Sequence, residues 1–165
     1  MKTLCLIRHA KTSWSHPSTP DIERPLEERG ISDVAILSNY LSEQKLVPDL
    51  ILASPALRTK HTAELLIQHL KLSEDILIFD EKIYNAAVEN LLKVLQNLDD
   101  KINTVFLIGH NPGITMLANY LAEAHIPSLQ TSGAFSVQIN SDHWHELTTA
   151  EAKFIFEYHP PHEIE

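Results

Sequence analysis

The sequence predicts an α/β protein: a mostly parallel central sheet of about six strands, with helices on both faces. Three observations carry this. Apolar runs of strand length recur at residues 3–8, 49–53, 75–79 and 103–108, and helix-periodic segments separate them. Residues 134–140 and 153–158 add two more strand-like stretches, the first with Phe135, Val137 and Ile139 on one face. Finally, the apolar runs stop at residues that carry chemistry: Arg8-His9, Ser54-Pro55-Ala56-Leu57-Arg58 and Gly109-His110.

The helices follow in order. Val34, Leu37 and Leu41 recur at i, i+3 and i+7, which makes one buried stripe. Ala63, Leu66, Ile67 and Leu70 repeat the pattern, and Ser54 with Pro55 reads as a cap and first turn for that helix. Val88, Leu91, Leu92 and Leu95 mark a third helix. Ile114, Leu117, Ala118 and Leu121 mark a fourth, with Asn111 as cap and Pro112 at its first position. His143 and His145 are spaced to share a strand face, while His159 and His162 flank two prolines. Residues 1–165 are read as one domain, without repeat or linker.

Composition narrows the function. Hydrophobic residues at 44% and charged residues at 21% are ordinary for a globular protein. No apolar stretch has the length of a membrane span, and the N-terminal run lacks the core and cleavage site of a secretory signal. The single Cys5 lies within a strand run, so it reads as a small buried hydrophobe in a reduced compartment. A cytoplasmic location without membrane attachment is expected. The formal charge of −9, from 22 acidic and 13 basic residues, disfavours nucleic acid as a partner. It also repels phosphorylated ligands at long range, so local arginines must supply the attraction.

In an open α/β sheet, ligands bind outside the carboxyl ends of the strands. His9, Arg8, Arg58 and His110 all fall there. An imidazole can attack phosphorus directly, and guanidinium groups with helix N–H groups suit three phosphoryl oxygens. Each piece alone has an ordinary reading: a common dipeptide, a helix start, a tight turn. Their joint placement on one edge favours an anion site. No third ligand accompanies His143 and His145, so no metal is expected.

Leu6-Ile7-Arg8-His9-Ala10-Lys11, Ser54-Pro55-Ala56-Leu57-Arg58-Thr59-Lys60-His61-Thr62 and Gly109-His110-Asn111-Pro112-Gly113 resemble the histidine phosphatase superfamily, whose fold is phosphoglycerate mutase-like and three-layered. The family's Arg-His-Gly appears here as Arg8-His9-Ala10, a departure that keeps a small residue. Arg24-Pro25-Leu26-Glu27-Glu28-Arg29-Gly30 resembles the small SixA-type phosphohistidine phosphatases. The resemblance implies His9 as nucleophile, Arg8, Arg58 and His110 as phosphate-binding residues, and Arg24 near the pocket. Thr12 and Ser13 either donate hydrogen bonds to substrate or stabilise the loop. Many family members carry an acid that protonates an alkoxide; neither Asp80 nor Glu81 aligns with it, and Tyr84-Asn85 falls at that place.

The expected activity is therefore hydrolysis of phosphohistidine through a covalent phosphohistidine intermediate, without metal or other cofactor. The substrate is a phosphorylated protein domain or a small phosphorylated molecule. Alternatives are a small-metabolite phosphomonoesterase and a phosphate-recognition module without turnover. Mutase activity is disfavoured because the short chain has little room to enclose an intermediate.

Overall fold

The computed structural model describes residues 1–13 and 16–161. His162 lies outside them. Six strands form one sheet: β1 (Lys2–Arg8), β2 (Leu50–Ala53), β3 (Leu77–Phe79), β4 (Thr104–Gly109), β5 (Ala134–Ile139) and β6 (Ala152–Tyr158). Four α-helices join them: α1 (Glu28–Glu43), α2 (Leu57–Leu70), α3 (Val88–Gln96) and α4 (Gly113–Ala122). The strand order is β3-β2-β4-β1-β5-β6. β3, β2, β4 and β1 pair in parallel, and β5 runs antiparallel to both of its neighbours.

Side-chain alternation divides the core into two layers. On β1, Leu4 and Leu6 face one side and pack with Leu91, Leu95, Ile114 and Leu117 of α3 and α4. Cys5 and Ile7 face the other side and meet Val34, Leu37 and Leu41 of α1 and Ala63, Leu66 and Ile67 of α2. A sheet buried on both faces requires continuous apolar strands, and Leu4-Cys5-Leu6-Ile7 meets that need.

The strand register builds the functional edge. Arg8 pairs with Gly109 across β1 and β4, so His9 and His110 leave the sheet side by side. The His9 N–H donates to the Gly109 carbonyl at 3.2 Å. Ala53 pairs with Ile108, and the Ser54 N–H donates to the Ile108 carbonyl at 3.3 Å, which brings the end of β2 alongside. Two glycines let helices close on this edge. A Cβ on Gly30 would lie 2.3 Å from the Lys11 carbonyl oxygen, and one on Gly113 would lie 2.1 Å from that of Ala86.

Four local expectations change. α2 begins at Leu57 with Ala56 as its N-cap, so Ser54 does not cap the helix. α4 begins at Gly113, and Asn111 Oδ1 accepts from the Thr115 hydroxyl at 2.5 Å instead of from a helix N–H. β3 is shorter than residues 75–79, because Glu74–Ile76 wind into a 3-10 turn started by the Ser73 side chain. His143 and His145 lie at and within the 3-10 turn Trp144–Glu146, not on a strand, with their rings stacked 5.3 Å apart.

Candidate active site

A cavity of about 400 Å³ opens at the carboxyl edge of β1, β4 and β2, lined by Arg8, His9, Thr12, Arg24, Arg58 and His110 together with Lys11, Glu27, Asn85, Asn111 and Thr131. Six of the seven residues singled out from the sequence meet here. Ser13 does not line it; its backbone N–H donates to the Pro25 carbonyl at 3.0 Å and closes the loop. A larger, more apolar cavity of about 750 Å³ lies over Leu50, Leu52 and Ile78 beside α3, but it holds neither histidine nor arginine.

His9 is 8% exposed, held where β1 meets its loop. Its Nδ1 lies 2.8 Å from the Ala10 carbonyl oxygen. A carbonyl only accepts, so Nδ1 carries the proton and Nε2 keeps its lone pair. Burial pushes the imidazole down to about 3; the Ala10 contact opposes it, and the electrostatic influence of neighbouring His110, Arg8 and Arg58 adds to the lowering. The ring is neutral at ordinary pH.

His110 stands opposite, ring centroids 5.5 Å apart and planes tilted by 53°. Its Nε2 lies 2.7 Å from the Ser54 hydroxyl, and the Tyr84 ring meets it edge-on at 5.5 Å. Burial and then Arg58 push this imidazole down to about 4. Ser54 thus has a role that helix-capping logic hid: its hydroxyl is buried against the second histidine.

Three arginines surround the pair. Arg8 donates from Nη1 to the Leu129 carbonyl at 3.0 Å; burial and the neighbouring Arg58 charge lower its pKa. Arg58, 4% exposed, reaches Asp21: Nη1 donates to the main-chain carbonyl at 2.7 Å and Nη2 to the carboxylate at 3.0 Å. Arg24 also reaches the Asp21 carboxylate, at 3.3 Å, and donates to the Thr12 hydroxyl. Sequence reasoning did not include Asp21, Lys11, Glu27 or Thr131; the i,i+3 spacing of Asp21 and Arg24 was the available signal.

Arg8 Nε, Arg58 Nε and His110 Nδ1 are buried and have no hydrogen-bond partner among the described residues. An unmet buried donor costs about 1–3 kcal/mol. Two guanidinium Nε donors and an unpartnered imidazole nitrogen, beside the neutral His9 ring, make a site that a tetrahedral oxyanion would satisfy. Among the described residues, no group of three His, Cys, Asp or Glu side chains could hold a metal ion. Among the described residues, no helix is long and apolar enough to cross a membrane.

Residues 4–83 match the family model of the histidine phosphatase superfamily, branch 1. An uncharacterized chloroplastic protein of Arabidopsis thaliana is 33% identical over 153 residues, covering 88% of this chain and 70% of that protein. The chain belongs to the histidine phosphatase superfamily. Within the superfamily, phosphohistidine phosphatase SixA of Escherichia coli K12 is 26% identical, covering 79% of this chain and 81% of that protein. The structure of the protein histidine phosphatase SixA complexed with tungstate superposes with a TM-score of 0.81 at 24% identity, over 96% of this chain and 97% of the other. The three-layer architecture expected from the sequence is the fold of this group.

Proposed function

We propose that this phosphatase hydrolyses phosphohistidine, with His9 as nucleophile and without a metal ion. The observation that carries the reading is the Nδ1 contact of His9 with the Ala10 carbonyl, 2.8 Å, inside a cavity rimmed by buried, unpartnered cationic and imidazole donors. In this reading Nε2 attacks phosphorus, and the P–N bond of the substrate breaks. A phosphohistidine protonated on its other ring nitrogen departs as neutral imidazole, so no acid is needed at the leaving atom. Phosphorylated His9 keeps its Nδ1 proton on the Ala10 carbonyl, which leaves the new P–N bond labile. Water then attacks, phosphate leaves with the water protons, and His9 returns to its starting tautomer.

Arg8 and Arg58 hold the phosphoryl oxygens, with Arg24 beside them and Thr12 steadying Arg24. In this reading the Ser54 hydroxyl, 2.7 Å from His110 Nε2, donates to it, and the His110 proton sits on Nδ1, the unpartnered nitrogen. His110 then serves as a neutral hydrogen-bond donor to the phosphoryl group. These donors are fixed before substrate arrives, which is the arrangement that stabilises charge in the transition state. The relationship to a SixA phosphatase supports the substrate class.

The test is rapid quenching with a phosphohistidine-bearing protein domain, followed by intact mass measurement. The enzyme is expected to gain one phosphoryl group transiently, His9→Ala to gain none and to lose turnover, and chelators to have no effect. A chelator that abolishes activity, with recovery on adding a divalent metal, overturns the metal-free mechanism. A sugar phosphate turned over faster than phosphohistidine makes the protein a small-metabolite phosphatase instead.

A further inference from the structure

The carboxylate of Asp21 lies on the loop between β1 and α1, in the 3-10 turn Asp21–Glu23, and joins three elements of the phosphoryl site. It accepts from Arg58 at the start of α2, from Arg24 on its own loop and from Tyr84 at the end of the turn after β3. The Tyr84 hydroxyl contact is the shortest of the three, at 2.6 Å.

How Arg58 is held decides what it can offer a ligand. A guanidinium has five N–H groups in one plane. Residue 21 takes one from Nη1, through its main-chain carbonyl at 2.7 Å, and one from Nη2, through its carboxylate at 3.0 Å. Two attachments on one planar group fix its rotation. The Nε–H remains, buried and without a partner among the described residues. That N–H lies on the Nε edge of the guanidinium, from which it can donate to an oxygen of a tetrahedral anion.

We propose that Asp21 is a positioning residue for the phosphoryl site, holding Arg58 from one side so that the Nε edge faces the phosphoryl oxygens. The inference rests on the phosphatase reading above. Asp21 does not act as the proton donor: the Tyr84 hydroxyl, and after it Arg58 and Arg24, hold its carboxyl down to about 2 although burial opposes them. Nor does it act as a competitor that phosphate must displace. The shorter Arg58 contact is made by the main-chain carbonyl of residue 21, which side-chain rotation cannot remove.

The test compares Asp21→Asn, Asp21→Glu and Tyr84→Phe with the wild type. It uses inorganic phosphate binding by calorimetry and steady-state turnover of a phosphohistidine-bearing domain. Asp21 is partly exposed, so Asp21→Asn is expected to fold with an unchanged far-ultraviolet spectrum. It is expected to weaken phosphate and lower kcat/KM by about tenfold, chiefly in kcat, with Asp21→Glu recovering part of the loss and Tyr84→Phe losing a few fold. In an Arg58→Ala background Asp21→Asn is expected to cost nothing more, because the two act as a unit. Equal or tighter phosphate binding by Asp21→Asn, or the same loss with and without Arg58, overturns the inference. A wild-type protein that binds no phosphate and turns over no phosphorylated substrate overturns the phosphatase reading and this inference together.

Discussion

The Ser54 hydroxyl lies 2.7 Å from His110 Nε2, so one of the two imidazole nitrogens is occupied before any ligand arrives. Ser54 is wholly buried and accepts from the Ala56 N–H at 3.3 Å. In the tautomer proposed above, the hydroxyl proton is donated to the ring and the ring proton sits on Nδ1.

Replacing Ser54 with alanine is expected to lower kcat/KM by about tenfold, the effect of losing one buried hydrogen bond of about 1.4 kcal/mol. His110 would then be free to carry its proton on Nε2, where it is useless to a phosphoryl oxygen. Nitrogen NMR of labelled histidine reads the tautomer directly. An unchanged Nδ1–H tautomer with unchanged kinetics would remove Ser54 from the account.

Stability is expected to fall steeply in mild acid. Burial, first among the causes, pushes His9 down to about 3 and His110 down to about 4 in the folded protein. An unfolded chain returns them to about 6.5. A folded pKa below the unfolded one means that the unfolded state binds more protons in the interval between. The stabilising contribution is therefore complete above about 6.5 and is lost as pH falls toward 4 and 3, on the order of a few kcal/mol in all. Urea denaturation at pH 7 and 4.5 measures it, and a His9→Asn/His110→Asn double variant separates it from the carboxylates. If wild type and double variant lose the same stability, the two imidazoles are not buried in neutral form.

Much of this arrangement was legible in the chain because it is local. Leu4-Cys5-Leu6-Ile7 and Val105-Phe106-Leu107-Ile108 are buried on both faces, so they read as continuous apolar runs, and the histidines follow directly. Ser54 was misread because Ser-Pro before a helix has the same pattern whether the hydroxyl caps the helix or turns to a partner 56 positions away. Asp21 was not seen at all, since its pairing with Arg58 spans 37 positions and crosses two elements. Leu129, whose carbonyl accepts from both Arg8 and Asn111, belongs to a loop with no periodicity to read. Pairings that depend on register across the sheet leave no mark in local spacing.

Gly113 is expected to tolerate no side chain. A Cβ there would sit 2.1 Å from the Ala86 carbonyl oxygen, a backbone atom that no rotamer change can move aside. Gly113→Ala must push α4 away from the turn that carries Asn85, a residue lining the cavity. The expected cost is about 1–3 kcal/mol, together with weaker phosphate binding. Chemical denaturation and calorimetry measure the two; wild-type stability would show that the turn moves freely.

The leaving group provides the sharpest test of substrate class. An alkyl phosphate expels an alkoxide that needs a proton, whereas a protonated phosphohistidine expels a neutral ring. Asp80 accepts from the Lys82 N–H at 2.9 Å and lines the apolar cavity beside α3, and neither it nor Glu81 lines the histidine site. Glu27 does line it, but its carboxylate is 3.5 Å from the Lys11 ammonium, and Asp21 is held ionised by Tyr84 and two arginines. With Glu27 beside the Lys11 ammonium and Asp21 held by its three partners, turnover of a phosphohistidine domain is expected to exceed that of an alkyl phosphate by at least about a hundredfold, the low end of what general acid help provides. Aryl phosphates, whose leaving groups are stable as anions, are expected between the two. Asp80→Asn and Glu81→Gln are expected to leave this ranking unchanged, and Glu27→Gln to leave P–N cleavage within a few fold. An alkyl phosphate hydrolysed as fast as phosphohistidine, with that activity lost in Glu27→Gln, would identify Glu27 as the acid and move the protein to the phosphomonoesterases.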